Sequence, residues 1–201
     1  MVLEINSTLV KELREKTGAG MMNCKKALQE TNGNFDEAIK KLRQKGLASA
    51  DKKATRSAIE GIINSYIHTG KKIGVLLELN CETDFVARRK EFQELADNLS
   101  MQIAASPDIF YVNLEEIPSE IFETEKEIEL NKEDLKEKPI QIREKIMLGR
   151  VEKTLKSLSL INQPFIRNPN ITVEELIKEQ IATFGENIKI KRFVRYKLGS
   201  E

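Results

Sequence analysis

The chain has 201 residues, with 33 lysines and arginines against 32 aspartates and glutamates, so its formal net charge is +1. Proteins that bind nucleic acid through its phosphates usually carry a basic excess, so this balance argues against that class. Hydrophobic residues make up 40% of the chain, which argues against disorder, and no apolar run reaches the roughly 18 residues of a membrane-spanning helix.

The first 50 residues predict three short helices. Ser7 is the predicted N-cap of the first, because its hydroxyl can accept hydrogen bonds from the open N–H groups of the first turn. The glycines of "TGAG", residues 17–20, end that helix. A second helix is predicted from about Met21 to Thr31 and a third from about Phe35 to Lys45. Residues 51–58 carry several charges and few large apolar side chains, which predicts a linker that can be partly helical.

The periodicity then changes to that of β-strands. Residues 60–68 and 73–81 predict a hairpin around "HTGKK". Alternation along the second strand places a row of apolar side chains on one face, which ends at Cys81: Ile73, Val75, Leu77, Leu79 and Cys81. From Thr83 to about Ala105 the pattern predicts one continuous helix.

The second half predicts a helical hairpin, a last helix and a last strand. One arm of the hairpin covers residues 118–133, a charged segment whose carboxylates we expect on a solvated face. The other arm starts at Pro139, which is favoured in a first turn, and runs to about Ser157. Its inward side chains are predicted to be Ile142, Ile146, Val151, Leu155 and Leu158.

After the hairpin, "LINQPFIRNPN", residues 160–170, predicts an extended loop. Residues 173–183 predict a helix, and the alternation over 186–198 predicts a strand that joins the β-hairpin as a third partner. The sequence therefore predicts an α+β fold with a small antiparallel sheet.

The usual catalytic templates are absent from the sequence. There is no GxxxxGK[ST] phosphate loop, CxxC, HExxH or calcium loop. The single histidine, His68, lies beside the hairpin turn, whereas Cys81 lies at the far end of the partner strand, tens of Å away at about 3.3 Å per residue. We therefore expect no catalytic residue, metal or cofactor, and a protein that works through its surface.

The stretch "LNCETDFVARRKEF", residues 79–92, has two interpretations at Phe85. Thr83 is a plausible N-cap, and Asp84 in the first turn suits the positive end of a helix. At 100° per residue, Phe85 falls on the apolar stripe that contains Phe92, which favours burial. Its position at the tip of the helix favours exposure instead.

Four motifs resemble one family. "TDFVAR", residues 83–88, and "LVKELREKTGAGMMNCKKAL", residues 9–28, resemble the two signatures of translation elongation factor Ts. "GENIKIKRF", residues 185–193, and "SLINQPFI", residues 159–166, are further matches in the same order. The resemblance covers nearly the whole chain.

This resemblance implies a fold and a partner. It implies a ubiquitin-associated-like three-helix module over residues 1–50, a linker over 51–58 and a dimerisation-type core with a small antiparallel sheet and a helical hairpin over 59–201. The family exchanges guanine nucleotide on elongation factor Tu and binds its GDP-bound and nucleotide-free forms. An Asp-Phe pair enters the GTPase domain of Tu, disturbs its Mg²⁺ site and lets GDP leave.

By match of motif, Thr83, Asp84, Phe85 and Val86 inherit that role, and the resemblance turns the Phe85 ring outward into the partner. Three residues of the N-terminal module match positions that contact Tu near its guanine-base region: Arg14, Met21 and Met22. Arg89 is a departure, because the family usually has Asn there, and we expect it to change the charge of the helix surface without changing the wedge.

The chain has one core subdomain, and short members of the family tend to dimerise. A 2:2 complex with Tu is therefore implied, with strand 186–198 as the pairing edge, where Ile188, Ile190 and Val194 lie. No direct contact with nucleic acid or membrane is expected. No signal peptide is visible, and two cysteines suit a reducing compartment. The expected location is the bacterial cytoplasm or, for an organelle-encoded chain, the plastid stroma.

Two other functions remain as alternatives. An adaptor could use the three-helix module to bind a ubiquitin-like or nascent-chain partner, but this leaves "TDFVAR" and "GENIKIKRF" unassigned. A thiol enzyme could use Cys81, but it would lack a base.

Overall fold

The computed structural model describes residues 6–136 and 138–199. It begins with three helices: α1 (Ser7–Thr17), α2 (Met21–Glu30) and α3 (Phe35–Lys53). These helices share a core of small and branched apolar side chains, each buried at helical spacing: Val10, Leu13, Cys24, Ala27, Leu28, Ala38 and Leu42. Complete burial of a leucine contributes about 1.5–3 kcal/mol, so this core accounts for the tertiary stability of three short helices.

Two predictions about these helices were wrong in detail. The N-cap of α1 is Asn6, whose side chain accepts a hydrogen bond from the Thr8 N–H at 3.0 Å, and Ser7 is the first helical residue. The third helix was predicted to end near Lys45, but α3 continues past Gly46 to Lys53, so the start of the predicted linker is helical. Ala50 is buried on this added turn, and tertiary packing of that kind outweighs the weak helix propensity of a single glycine.

The three-stranded sheet was predicted correctly. The strands are β1 (Glu60–Ile67), β2 (Ile73–Cys81) and β5 (Lys189–Lys197), in the order β1-β2-β5. Along β2, Val75, Leu77, Leu79 and Cys81 are buried and Leu76 is exposed, as expected for a sheet with one covered face.

The helix predicted over residues 83–105 is divided in two. α4 (Asp84–Ala87) ends at Arg88, and α5 (Lys90–Ala105) begins two residues later. The apolar stripe of α5 is buried as predicted, at Phe92, Ala96, Leu99 and Ile103. Because the helical register is interrupted, the angle calculated from Phe92 does not apply to Phe85, so the burial that periodicity favoured was wrong.

A helical hairpin is confirmed in the second half. After a short 3₁₀ turn (Leu114–Glu116) come α6 (Ser119–Leu130), α7 (Glu133–Lys136) and α8 (Ile140–Leu158). Pro139 is the N-cap of α8. The hairpin core consists of the apolar residues Leu135, Met147 and Val151, with Phe122, Leu130, Ile146 and Leu155 packed against them.

Two side-chain predictions for the hairpin were wrong. Ile142 is half exposed; it lies in the first turn of α8, ahead of the buried residues Met147 and Val151. Glu129 is buried, although its segment was predicted as a solvated face. The hydrogen bond from the Lys132 ammonium lowers the pKa of the Glu129 carboxyl, and that from Arg150 at 3.4 Å lowers it further. Together they outweigh the desolvation of the carboxyl, which raises its pKa.

The predicted loop at residues 160–170 contains a small second sheet. β3 (Pro164–Phe165) pairs antiparallel with β4 (Asn168–Thr172). Two prolines in such short strands hide the pairing from sequence reasoning. α9 (Val173–Phe184) follows as predicted.

The chain forms two compact units. One contains the chain up to Ile62, Asn80–Phe92 and Glu175–Lys189, and the other contains Ile63–Leu79, Gln93–Glu174 and the chain from Ile190 onwards. The three helices at the N-terminus, α4 and most of α9 therefore belong to one unit. The division at residues 50 and 58 stays a prediction.

Candidate functional site

α4 is a single capped turn that follows a buried strand end. Thr83 is extended, with φ −130° and ψ 154°, and its Oγ1 accepts a hydrogen bond from the Val86 N–H at 3.5 Å. The Asp84 carboxylate lies 3.0 Å from the Arg88 guanidinium across the turn. The predicted N-cap is confirmed. Because an isolated turn of four residues is unstable in water, its caps and neighbours determine its geometry.

Phe85 projects from this turn into solvent. Its exposed fraction is 81%, whereas the next two residues, Val86 and Ala87, are each only 6% exposed. The two buried side chains fix the turn to the protein. Exposure of a phenylalanine forgoes the roughly 1.5–3 kcal/mol that its burial would contribute, and large aromatic side chains are common anchors of protein–protein interfaces.

The carboxylate of Glu186 supports the start of α4. One of its oxygens, Oε2, accepts hydrogen bonds from the backbone N–H groups of Glu82 at 3.1 Å and Thr83 at 3.0 Å. The other, Oε1, accepts from the Thr83 hydroxyl at 2.6 Å. Sequence reasoning noted the "GENIKIKRF" motif but did not assign this residue. No local signal could have assigned it, because its partners lie 103 and 104 positions away in the sequence.

The three N-terminal candidates are all exposed. Arg14 lies on α1, and Met21 and Met22 begin α2, with exposed fractions of 44% and 76% for the two methionines. Gly18, at φ +65°, ends α1 and permits the tight connection to α2. Two adjacent exposed methionines make a flexible apolar surface of the kind used in adaptable binding.

A groove of about 570 Å³ brings two of these residues near the α4 segment. It is lined by Arg14 and Met21 from the N-terminal helices, by Arg89 just after α4 and by Phe184 at the end of α9. Phe85 and Met22 are not among its lining residues. Within one compact unit, two of the predicted N-terminal contact residues, Arg14 and Met21, therefore border the same concave surface as Arg89, while none of Thr83–Val86 lines it.

Arg89, the departure from the family pattern, has defined contacts. Its guanidinium lies 5.0 Å from the centroid of the Phe184 ring and 3.2 Å from the Glu91 carboxylate. Phe184 in turn meets Phe92 edge to face, with centroids 6.0 Å apart. Arg89 thus does more than add charge: a cation–π contact of about 0.5–1 kcal/mol at an exposed site holds it over the groove.

The two residues considered for thiol chemistry are unsuited to it. Cys81 is fully buried, and its Sγ donates to the Thr83 carbonyl at 3.1 Å. Burial, with a contribution from the nearby Glu186 charge, raises the pKa of the Cys81 thiol to about 11. The thiol is therefore protonated at neutral pH and is a poor nucleophile. His68 is exposed and contacts the Tyr66 hydroxyl at 2.9 Å.

Within residues 6–136 and 138–199, no group of three or more His, Cys, Asp or Glu side chains is arranged to hold a metal ion. A search of the same residues finds no helix with the length and apolar character needed to cross a membrane.

Comparison of the sequence with known proteins points to one family. The model of the family "Elongation factor TS" matches residues 1–200. The chain is 62% identical to the chloroplastic elongation factor Ts of Guillardia theta over 199 residues, which is 99% of this chain and 91% of the relative. It is 60% identical to elongation factor Ts of Synechococcus elongatus over 98% of this chain and 89% of the relative. The chain therefore belongs to the elongation factor Ts family and is a translation elongation factor.

Proposed function

We propose that the chain is the guanine-nucleotide exchange factor for elongation factor Tu. The observation that carries the proposal is Phe85, which is 81% exposed on a capped turn whose next two residues are buried. In the proposed mechanism the ring enters the GTPase domain of Tu, with Thr83, Asp84 and Val86 holding the turn that presents it. The Mg²⁺ site of Tu is disturbed, GDP leaves and GTP can bind.

Exchange of this kind needs no catalytic residue, metal or cofactor on the factor. It requires only that the factor bind nucleotide-free Tu more tightly than GDP-bound Tu, because reciprocity then makes the factor weaken GDP binding by the same ratio. Each tenfold of that ratio corresponds to about 1.4 kcal/mol. We propose that Phe85 supplies most of this difference, with its ring buried against Tu only where the nucleotide site has opened.

A second contact is proposed through the N-terminal helices. Arg14, Met21 and Met22 are exposed, and Arg14 and Met21 line the groove that also includes Arg89. We assign them to binding of Tu irrespective of its nucleotide, so their loss should weaken the complex without reducing the exchange rate at saturation. The wedge and the affinity surface would then be separable by mutation.

We also propose that two copies of the chain pair, giving a 2:2 complex with Tu. The expectation from sequence placed the pairing at β5, which is an edge strand. Of the residues named there, Ile188 and Ile190 are buried in the chain's own core and only Val194 is exposed. Pairing along this edge would therefore use the backbone, with side chains of the outer sheet face as additional contacts.

That outer face carries exposed apolar residues from all three strands: Ile63, Ile67, Leu76, Val194 and Tyr196. We propose this face as the surface that meets a second copy about a two-fold axis. Light scattering of the wild-type chain and of a V194D variant, which places a charge on the exposed side of β5, tests the proposal. We expect a dimer for the wild type and a monomer for the variant, and a monomeric wild type would refute it.

The relatives are chloroplastic and cyanobacterial, and we propose that the chain works in a plastid stroma or a bacterial cytoplasm, where Tu is made. Gene mapping and immunolocalisation in the source cells would test this.

The exchange proposal is tested by the release of a fluorescent GDP analogue from Tu. Phe85→Ala is compared with Phe110→Ala, because Phe110 is also an exposed phenylalanine, at 66%, and lies outside the compact unit of the α4 segment. We expect the wild type and Phe110→Ala to accelerate release equally and Phe85→Ala to lose most of the acceleration. A wild-type chain that leaves the release rate unchanged would refute the proposal.

A further inference from the structure

The connection between α9 and β5 contains two residues that bond to the segment before α4. Glu186 accepts three hydrogen bonds from Glu82 and Thr83, and its neighbour Asn187 reaches the same segment from the other side. The Asn187 N–H donates to the Glu82 carboxylate at 2.6 Å. Two consecutive residues therefore fix the two residues that precede the turn bearing Phe85.

The contact with the Thr83 hydroxyl has a particular chemical consequence. A hydroxyl has one hydrogen to donate and two lone pairs with which to accept. The Thr83 hydroxyl donates its hydrogen to Glu186 at 2.6 Å, which leaves a lone pair of Oγ1 directed at the Val86 N–H. That N–H donates to Oγ1 at 3.5 Å, and this is the cap of α4. Glu186 thus sets the hydroxyl in the orientation that caps α4. Bonds of a carboxylate to backbone N–H and hydroxyl groups are also stronger than neutral ones.

Asn187 anchors this arrangement to the end of the N-terminal helices. Its side chain is buried, and its Nδ2 donates to the carbonyl oxygens of Ala54 at 3.2 Å and Arg56 at 2.8 Å. The Glu82 carboxylate lies 3.6 Å from the Arg56 guanidinium. Glu186 and Asn187 are therefore both hydrogen-bonded to the residues before α4, and Asn187 is also hydrogen-bonded to the segment that follows α3. All of these residues lie within one compact unit.

We propose that Glu186 is a positioning residue for Phe85: it holds the start of α4 so that the ring is presented in the orientation that opens the nucleotide site of Tu. The proposal rests on the proposed exchange function. Glu186 acts through Thr83 and makes no contact with Tu. Its loss releases the capped turn while the buried Val86 and Ala87 keep the segment attached.

The variants separate positioning from general stability. Glu186→Ala removes both acceptor oxygens, whereas Glu186→Gln keeps one oxygen for the backbone N–H groups and offers an amide to the Thr83 hydroxyl, which can still accept. Glu152→Ala is the matched control, because it removes an exposed carboxylate that pairs with Lys156 at 2.6 Å on α8, in the other compact unit.

Exchange is measured over a range of factor concentrations. For Glu186→Ala we expect the maximum rate of GDP release to fall about tenfold, because the ring is then in the productive orientation for only part of the time, with the half-saturating concentration unchanged. Glu186→Gln should recover most of the rate, and Glu152→Ala should match the wild type. In a Phe85→Ala background, Glu186→Ala should cause no further loss. An unchanged maximum rate, or an equal loss in both backgrounds, would overturn the proposal.

A second measurement does not depend on Tu. The sequence contains three tyrosines but no tryptophan, so F85W places a single tryptophan, which can be excited selectively, at the tip of the turn. We expect Glu186→Ala to lower the fluorescence anisotropy of Trp at this position, and Thr83→Val to do the same while Thr83→Ser does not. Equal anisotropy with and without Glu186 would show that the carboxylate does not hold the turn. A wild-type chain without exchange activity would instead overturn the proposed function, so the two failures are distinguishable.

Discussion

Replacement of Phe85 by alanine should leave the fold almost unchanged, whereas replacement of Phe92 should not. Both phenylalanines lie near the same helix break, and the sequence alone placed them on one apolar stripe. Phe85 is 81% exposed and Phe92 is fully buried. Because burial of a whole phenylalanine contributes about 1.5–3 kcal/mol, the buried fifth of Phe85 accounts for only ~0.3–0.6 kcal/mol.

The expected difference is large enough to measure by thermal or denaturant unfolding. Phe92→Ala should cost about 3–5 kcal/mol, because it also leaves a cavity against Phe184. For a chain of this size, Tm moves by about 2–4 °C per kcal/mol. We therefore expect a loss of at most about 2.5 °C for Phe85→Ala and at least about 6 °C for Phe92→Ala. Destabilisation of Phe85→Ala by several kcal/mol would refute the reasoning, since the ring would then belong to the core.

Three further predictions concern other parts of the same unit. Cys81→Ser should keep full exchange activity. The pKa of the Cys81 thiol is raised from 9.0 to about 11 in the folded chain, so the unfolded thiol loses its proton first as pH rises. The stability of the wild type should therefore fall between about pH 9 and 11, and a flat stability profile over this range would contradict the burial of the thiol. Arg14→Ala combined with Met22→Ala should weaken the complex with Tu about tenfold in a titration and leave the maximum exchange rate unchanged; a fall in that rate would refute the separation of the two contacts. Gly18→Ala should lower the free energy of unfolding by about 1–2 kcal/mol, because φ is +65° and the added Cβ would lie 3.3 Å from the Thr183 methyl. Equal unfolding midpoints for the wild type and Gly18→Ala would contradict this prediction.

The sequence predicted the elements whose signals are local. Alternation along β1 and β2 and the turn between them predicted the hairpin, and helical spacing with Gly18 predicted α1 and α2. Local signals also identified Pro139 as the start of α8. In each case the side chains that pack together are only a few residues apart, or the backbone restriction lies in one residue.

The parts that could not be predicted depend on distant contacts. No proline or glycine marks the break between α4 and α5; it occurs where Arg89 turns onto Phe184, which lies 95 positions later. The bonds from Glu186 to Thr83 likewise join residues 103 positions apart. The outward orientation of Phe85 followed from resemblance to a family and was confirmed, whereas periodicity favoured burial.

The most direct test of the central claim is the ratio of two affinities: that of the chain for nucleotide-free Tu and that for GDP-bound Tu, measured by titration for the wild type and for Phe85→Ala. If Phe85 opens the nucleotide site, the wild type should bind nucleotide-free Tu far more tightly, and Phe85→Ala should lose most of that ratio while it retains its affinity for GDP-bound Tu. An equal ratio for the two proteins would contradict the account.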